Sequence, residues 1–319
     1  MKTVIAGAAG LLGWHLRCHL SALEAWKGGV VALDREAFND DTRLQKALDG
    51  ADVVVHCAGI NRAEEKEQET GNIALAERLA SALDASGATP HLVYSNSTHK
   101  AMDNAYGRGK AGADAVFRSW ADRAAARYTE LVLPHVFGEC GRPFYNSAVF
   151  TFCHQIVQGE PLSINGSGKL ELLHTQDICA RIVEAVAKGE TGELRLKGRP
   201  IPVAEVAGKL IAMYDRYTGN LIQDLRDRFE LQLFNTLRSF MYPDAYPTEL
   251  PLHTDNRGSL FEAVKTDNGG QAFLSTTKPG ITRGNHFHFA KVERFLVIRG
   301  EADIRLRRLF DDEVKEFRV

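Results

Sequence analysis

The chain has 319 residues, with 39 Lys and Arg against 41 Asp and Glu and a formal charge of -2. Near-neutrality without a basic tail removes the electrostatic case for nucleic acid, and no uncharged apolar run reaches the ~18 residues of a membrane span. The five cysteines are scattered and never spaced C-x-x-C, which counts against a disulfide framework or a thiolate zinc site and fits a reducing cytoplasm.

Along the chain, TVIAGA (3–8), VVALD (30–34), DVVVHCAG (52–59), HLVYSNS (91–97) and ELVLPHVFG (130–138) read as strands, with helical stretches between most of them. The alternation predicts βαβ units and a Rossmann-like, doubly wound parallel sheet covered on both faces. The opening MKTVIAGAAGLLGW has the lysine and small residues of a short signal peptide, but its glycines have a better reading. Gly7, Gly10 and Gly13 follow the first strand and open a helix, the context in which such a pattern cradles a dinucleotide. Gly7 permits the tight turn, Gly10 lets backbone approach a pyrophosphate, and Gly13 lets helix and strand pack closely. Leu11 and Leu12 lie between them, at the helix N-terminus where an anion is favoured. Strand two ends in Asp34 and Arg35, about 20 residues on, where dinucleotide folds read the adenosine ribose. Asp34 favours the bare 2′-hydroxyl of NAD and Arg35 the 2′-phosphate of NADP, so these cues conflict.

The glycine spacing, with Ala58 and Gly59 closing DVVVHCAG, resembles the extended short-chain dehydrogenase/reductases, which bind NAD(P) and act largely on nucleotide sugars. The resemblance implies a catalytic motif after the fourth strand, where Ser97 and Thr98 precede Tyr106 and Lys110. On a helix begun at Tyr106, Lys110 lies one turn on and on the same face, so its ammonium is expected to lower the phenol from about 10 towards neutrality. Tyr106 would then give a proton to a carbonyl oxygen as hydride reaches the carbon. Ser97, or Thr98 beside it, would orient that carbonyl; position within the serine-rich segment favours Ser97. Gly107 and Gly109 each cost about 1 kcal/mol of helix propensity against alanine and predict a loose helix start.

After Gly192, residues 201–217 and 221–242 read as two helices, and PDAYPTELP (243–251) then supplies three prolines. We place a boundary there, giving a domain of residues 1–245 and a smaller, incomplete all-β domain of residues 246–319. In the latter, GSLFEAVK, GQAFLSTTKPG, KVERFLVIRG and EADIRLRRLF read as strands of an antiparallel unit. Gly280, His286, His288, Glu293 and Gly300 follow the spacing of a first cupin motif. On a strand His286 and His288 point to the same side, and two imidazoles with a carboxylate suit zinc or another borderline divalent ion. No second motif follows before residues 312–319, so the barrel is expected to be cut short.

Further stretches narrow the resemblance: residues 58–62, 71–72, 133–138, 141–147, 256–262 and 278–288. Together they are similar to bifunctional capsular polysaccharide enzymes of the CapF type, an extended reductase domain joined to a cupin, across essentially the whole chain. That resemblance implies a UDP-linked 2-acetamido-2,6-dideoxy-4-keto-hexose as substrate, inverted at C3 by the cupin and reduced at C4 with NADPH. By position it implies Asn61, Arg62, His135, Arg142, Asn146 and Ser147 on the substrate side, with His135 standing where relatives commonly have asparagine. A cytoplasmic homodimer is expected. Two alternatives stay open: an epimerase or dehydratase that recycles NAD, and an idle NADP-binding sensor or scaffold.

Overall fold

The computed structural model describes residues 1–164, 168–288, 292–310 and 312–319. The chain divides into two compact units, Met1–Pro251 with Glu262–Phe273, and Leu252–Phe261 with Leu274–Val319. In order, the first runs β1 (Thr3–Ala6), α1 (Leu11–Ser21), β2 (Val30–Leu33), α2 (Arg35–Asn39), α3 (Asp41–Leu48), β3 (Val53–His56), α4 (Glu65–Ser86) and β4 (His91–Ser97). A 3-10 turn (Thr98–Ala101) leads to α5 (Ala105–Ala124), β5 (Tyr128–Leu133), β6 (His135–Phe137), α6 (Ala148–Gln158), β7 (Lys169–His174) and α7 (Thr175–Lys188). Then come β8 (Gly192–Arg195), β9 (Arg199–Pro202), α8 (Val203–Thr218) and α9 (Arg228–Met241).

Six strands form a parallel sheet in the order β2-β1-β3-β4-β5-β8. Because side chains alternate along a strand, Val4, Val54, Leu92 and Tyr94 enter the core beneath α3, α4 and α5, whereas Ile5, Val55 and Val93 enter the one beneath α1 and α7. Burial on both faces explains why these strands read as unbroken apolar runs. The chain leaves β1 for β2 on one side and returns to β3 on the other. The carboxyl ends of β1 and β3 therefore border a topological switch point, where open sheets of this kind hold ligands.

The stretch 130–138, expected as one strand, is two. Pro134 has no N–H for the ladder, so β5 ends in the large sheet and β6 begins a second one, β6-β7-β9, packed against α6, α8 and α9. Likewise residues 221–227 stay outside α9, which starts where the Asp227 carboxylate accepts the Glu230 N–H at 3.0 Å.

The C-terminal segments contribute β10 (His253–Asp255), β11 (Gly258–Lys265), β12 (Gln271–Ser275), β13 (Asp303–Arg307) and β14 (Val314–Arg318), with β10 antiparallel to β11 and β13 to β14. KVERFLVIRG is not a strand over its described residues, 292–300, nor are His286 and His288 on one. A strand persists only where a neighbour completes its ladder, and these residues belong to none of the sheets among the described residues.

Candidate active site

Gly7 turns at φ 80°, and a Cβ there would stand 2.6 Å from the Ala58 backbone nitrogen. The first glycine thus does two things, reversing the chain and letting the β1 and β3 loops touch at the switch point. At Gly13 a Cβ would meet the Gly7 carbonyl oxygen and lie 2.8 Å from the Ala8 Cα, which is the close helix–strand packing expected of it. Gly10 precedes α1 in an extended conformation, no side chain caps the helix, and its first turn has no acidic residue. Leu11 and Leu12 turn into apolar clusters on either side. What remains facing out of the turn is backbone N–H and the positive end of the helix dipole, a cradle that fits a pyrophosphate.

The two ribose cues separate. Asp34 is the cap of α2, its carboxylate accepting the Ala37 N–H at 2.8 Å, while Arg35 is exposed in the first turn and makes no ion pair among the described residues. Ala58 and Gly59 lead into a loop fixed by Asn72, which is buried, accepts the Ile60 N–H at 3.0 Å and donates to the Ile60 carbonyl at 2.9 Å. Sequence reasoning quoted Asn72 without a role; its two-sided amide is what shapes the loop carrying Asn61 and Arg62.

Ser97 ends β4 and Tyr106 and Lys110 lie on α5, whose N-terminus is capped by the Asn104 side chain accepting the Gly107 N–H at 2.8 Å. The helix start is not loose. A Cβ at Gly107 would stand 2.6 Å from the His99 carbonyl oxygen, and one at Gly109 would stand 2.7 Å from that of Gln68. The glycines trade helix propensity for close approach to the 3-10 turn and to α4, which brings Tyr106 against the end of β4.

Ser97 lies within hydrogen-bonding reach of the Tyr106 phenol, which burial raises and Ser97 lowers; a neighbouring Tyr145 raises it further. The dominant influences are thus not the downward push expected from Lys110. That ammonium is buried, donates to the Ser95 carbonyl at 2.8 Å and sits 4.4 Å from the centre of the Tyr94 ring. Burial brings it down to about 7, opposed by Cys57 and Glu130.

On the other side of Tyr106, the His99 ring lies 6.2 Å from the Tyr106 ring and 5.9 Å from that of His135, which links His135 to the site through a residue sequence reasoning missed. Tyr145 was missed as well, although it lies within residues 141–147. The guanidiniums of Arg62 and Arg142 stand 5.8 Å and 5.2 Å from its ring centre, and Arg62 also donates to the Phe144 carbonyl at 3.0 Å. Two cations converging on a tyrosine beside Tyr106 suit an anionic ligand whose far end reaches the phenol. Asn146 is exposed nearby in sequence, and Ser147 precedes α6 without spending its hydroxyl on the cap.

In the other unit, ligand atoms of His286, His288 and Glu293 all lie within 4.8 Å of one another, with His288 Nε2 3.4 Å from Glu293 Oε1. Ligands about a tetrahedral zinc stand roughly 3.4 Å apart for bonds near 2.1 Å. The donor set therefore fits that ion after a small contraction. All three residues are exposed. Among the described residues no helix is long and apolar enough to cross a membrane.

Residues 3–195 match the model of the NAD dependent epimerase/dehydratase family, and residues 253–319 that of the polysaccharide biosynthesis C-terminal domain. A UDP-2-acetamido-2,6-beta-L-arabino-hexul-4-ose reductase of Pseudomonas aeruginosa is 31% identical over 314 residues, covering 97% of this chain and 83% of that protein. The crystal structure of the capsular polysaccharide assembling protein CapF from Staphylococcus aureus superposes with a TM-score of 0.85 at 28% identity, covering 100% of this chain and 87% of the other. The UDP-N-acetylglucosamine 4-epimerase from Bacillus cereus shares the fold, with a TM-score of 0.60 at 16% identity over 79% of this chain and 99% of its own.

Proposed function

The chain belongs to the NAD dependent epimerase/dehydratase family, and from that premise we propose that it is a CapF-type NADPH-dependent reductase of a UDP-linked 2-acetamido-2,6-dideoxy-4-keto-hexose. The observation that carries the reading is the meeting of Ser97 and Tyr106 at the end of β4, on the same carboxyl edge of the parallel sheet as the uncapped helix that follows β1, with the buried Lys110 one turn further along α5. Gly7, Gly10, Gly13, Ala58 and Gly59 would hold the cofactor, with Arg35 at the 2′-phosphate. When bound, the reduced nicotinamide supplies the hydride that reaches C4.

The protein's own part is acid catalysis and placement. The phenol of Tyr106 is protonated at neutral pH, since burial raises it, and so it is equipped to give its proton to the C4 oxygen. Ser97 donates a hydrogen bond to the same oxygen and fixes it against the phenol. Lys110, on the same helix face as Tyr106, steadies the phenolate left behind. Arg62, Arg142 and Tyr145 hold the diphosphate end, and His135, Asn61, Asn146 and Ser147 line the sugar. The binding energy of the nucleotide is thereby spent on orienting a carbonyl.

Inversion at C3, which the CapF resemblance gives to the C-terminal unit, must come before reduction because the C3 hydrogen is acidic only while C4 is a carbonyl. His286, His288 and Glu293 would hold the divalent ion of that unit. The test of the whole reading is to incubate the protein with the UDP-linked 4-keto sugar and NADPH, following nicotinamide absorbance and product stereochemistry. Consumption of NADPH matched by a C4 alcohol supports it. Turnover without added NADPH by protein that retains its nucleotide supports a recycling epimerase or dehydratase instead.

A further inference from the structure

Glu130 is fully buried in the middle of β5, on the face that looks toward α5, and no step of the proposed reaction uses it. Burying a carboxylate costs several kcal/mol unless charges and hydrogen bonds compensate. Here the compensation comes from three directions. Asn96 Nδ2 donates to Glu130 Oε1 at 2.6 Å, Lys100 Nζ to the same oxygen at 2.5 Å, and Arg118 to Oε2 at 2.5 Å.

Two of these partners flank Ser97. Asn96 precedes it in β4 and also accepts the Ser97 N–H on its amide oxygen at 2.8 Å, so one side chain ties Glu130 to the Ser97 backbone. Lys100 lies in the 3-10 turn that follows, the turn that also presents His99 to Tyr106. Ser95, on the other side of Asn96, offers its carbonyl to Lys110. A single carboxylate thus grips the segment 96–100 at both ends. It also acts electrostatically on Lys110, whose surroundings are otherwise His56 and Cys57 from the end of β3, the Tyr94 ring from β4 and the Ser95 carbonyl.

We propose that Glu130 is the positioning residue of the Ser97–Tyr106–Lys110 site: it anchors Asn96 and Lys100 on either side of Ser97, and through Asn96, whose amide also reaches the Lys110 carbonyl at 3.4 Å, it sets its charge beside Lys110. The proposal rests on the reductase reading for its catalytic consequence, but its electrostatic half can be read without turnover.

The test uses the full chain with Glu130→Gln, which keeps shape and loses charge, and Glu130→Asp, which keeps charge. Lys110 is titrated by NMR of lysine-labelled protein, its signal identified by loss in Lys110→Met. With the facing anion removed, protonated Lys110 is less favoured, so its midpoint falls to lower pH in Glu130→Gln and stays near the wild-type value in Glu130→Asp. In turnover, Glu130→Gln is expected to lower kcat about tenfold or more with little change in KM, and to move the alkaline limb of the pH–rate profile to lower pH. Asn96→Ala cuts the tie to Ser97 but leaves the carboxylate, so kcat falls without movement of the Lys110 midpoint. If Glu130→Gln does not fold, Asn96→Ala and Glu130→Asp decide: wild-type kcat in the first or a displaced midpoint in the second overturns the proposal. A Glu130→Gln protein slowed equally at every pH, with Lys110 titrating as in wild type, reduces Glu130 to a structural ion pair and also overturns it. Absence of any wild-type turnover refutes the reductase reading, whereas an unmoved Lys110 midpoint refutes this one.

Discussion

Tyr106 is half-buried, and burial together with Tyr145 raises its phenol above the ordinary value. A general acid must enter the reaction protonated, and a phenol raised in this way is protonated across the neutral range. Tyr106→Phe removes the proton while keeping the ring, so NADPH binding, read by fluorescence titration, is expected to be unchanged while the chemical rate falls by about two orders of magnitude or more. Wild-type turnover in that variant would remove Tyr106 from the mechanism. The cofactor end turns on Arg35. Its neighbour Asp34 is occupied in capping α2, which leaves the guanidinium, unpaired among the described residues, at the end of β2. A 2′-phosphate would meet that cation, so NADPH is expected to be preferred, and Arg35→Ala is expected to abolish or reverse the preference. An NADPH/NADH ratio of kcat/KM unaltered by the substitution means the phosphate is read elsewhere.

At the scale of elements, the site depends on how closely α5 lies against α4. A methyl at Gly109 meets the backbone oxygens of Gln68 and Glu69, at 2.7 Å and 2.9 Å, and main chain cannot step aside as a side chain does. Gly109→Ala is therefore expected to destabilise the fold by about 1–3 kcal/mol, the usual range for overpacking. Gly112→Ala, one turn on, meets only the Ile73 side chain at 2.7 Å. It also recovers about 1 kcal/mol of helix propensity, so it is expected to cost clearly less. Urea midpoints measured side by side check the order, and equal losses would show that the α4–α5 approach does not set the cost. These glycines mark the limit of what the sequence reveals. A glycine at a strand–helix turn is legible because the neighbouring residues define its job, as at Gly7 and Gly13. Gly107 and Gly109 looked like weaknesses because what demands them is tertiary: the 3-10 turn folded back at His99 for the first, and α4 at Gln68, distant in sequence, for the second. Glu130 escaped for the same reason: in ELVL it reads as one polar position of a strand, and only the fold brings Asn96, Lys100 and Arg118 to it. The run KVERFLVIRG erred the other way, since its apolar residues matched a strand but β pairing is a property of two segments.

At the scale of the whole molecule, the residues assigned to reduction all lie in the first unit and the metal-ligand cluster lies in the second. The two differ in what they bury. The buried apolar core among the described residues ends at Met241, whereas Val292, Leu296, Ile298 and Phe310 in the second unit are 99%, 82%, 74% and 105% exposed. Removing a proton from C3 requires a base and a water-poor pocket in which the resulting charge is stabilised by fixed groups, and among the described residues His286, His288 and Glu293 are exposed. Reduction at C4, as proposed, draws only on residues of the first unit. The chain is therefore expected to oxidise NADPH with a 4-keto sugar already inverted at C3 and, in deuterium oxide, to place little deuterium at C3 of the uninverted sugar. His286→Ala is expected to weaken divalent-metal binding, read by calorimetry, and to leave NADPH oxidation within about twofold of wild type, because the residues assigned to reduction do not include it. Rapid C3 exchange that survives His286→Ala would point to a base in the first unit, and the division of labour proposed between the two units would fall.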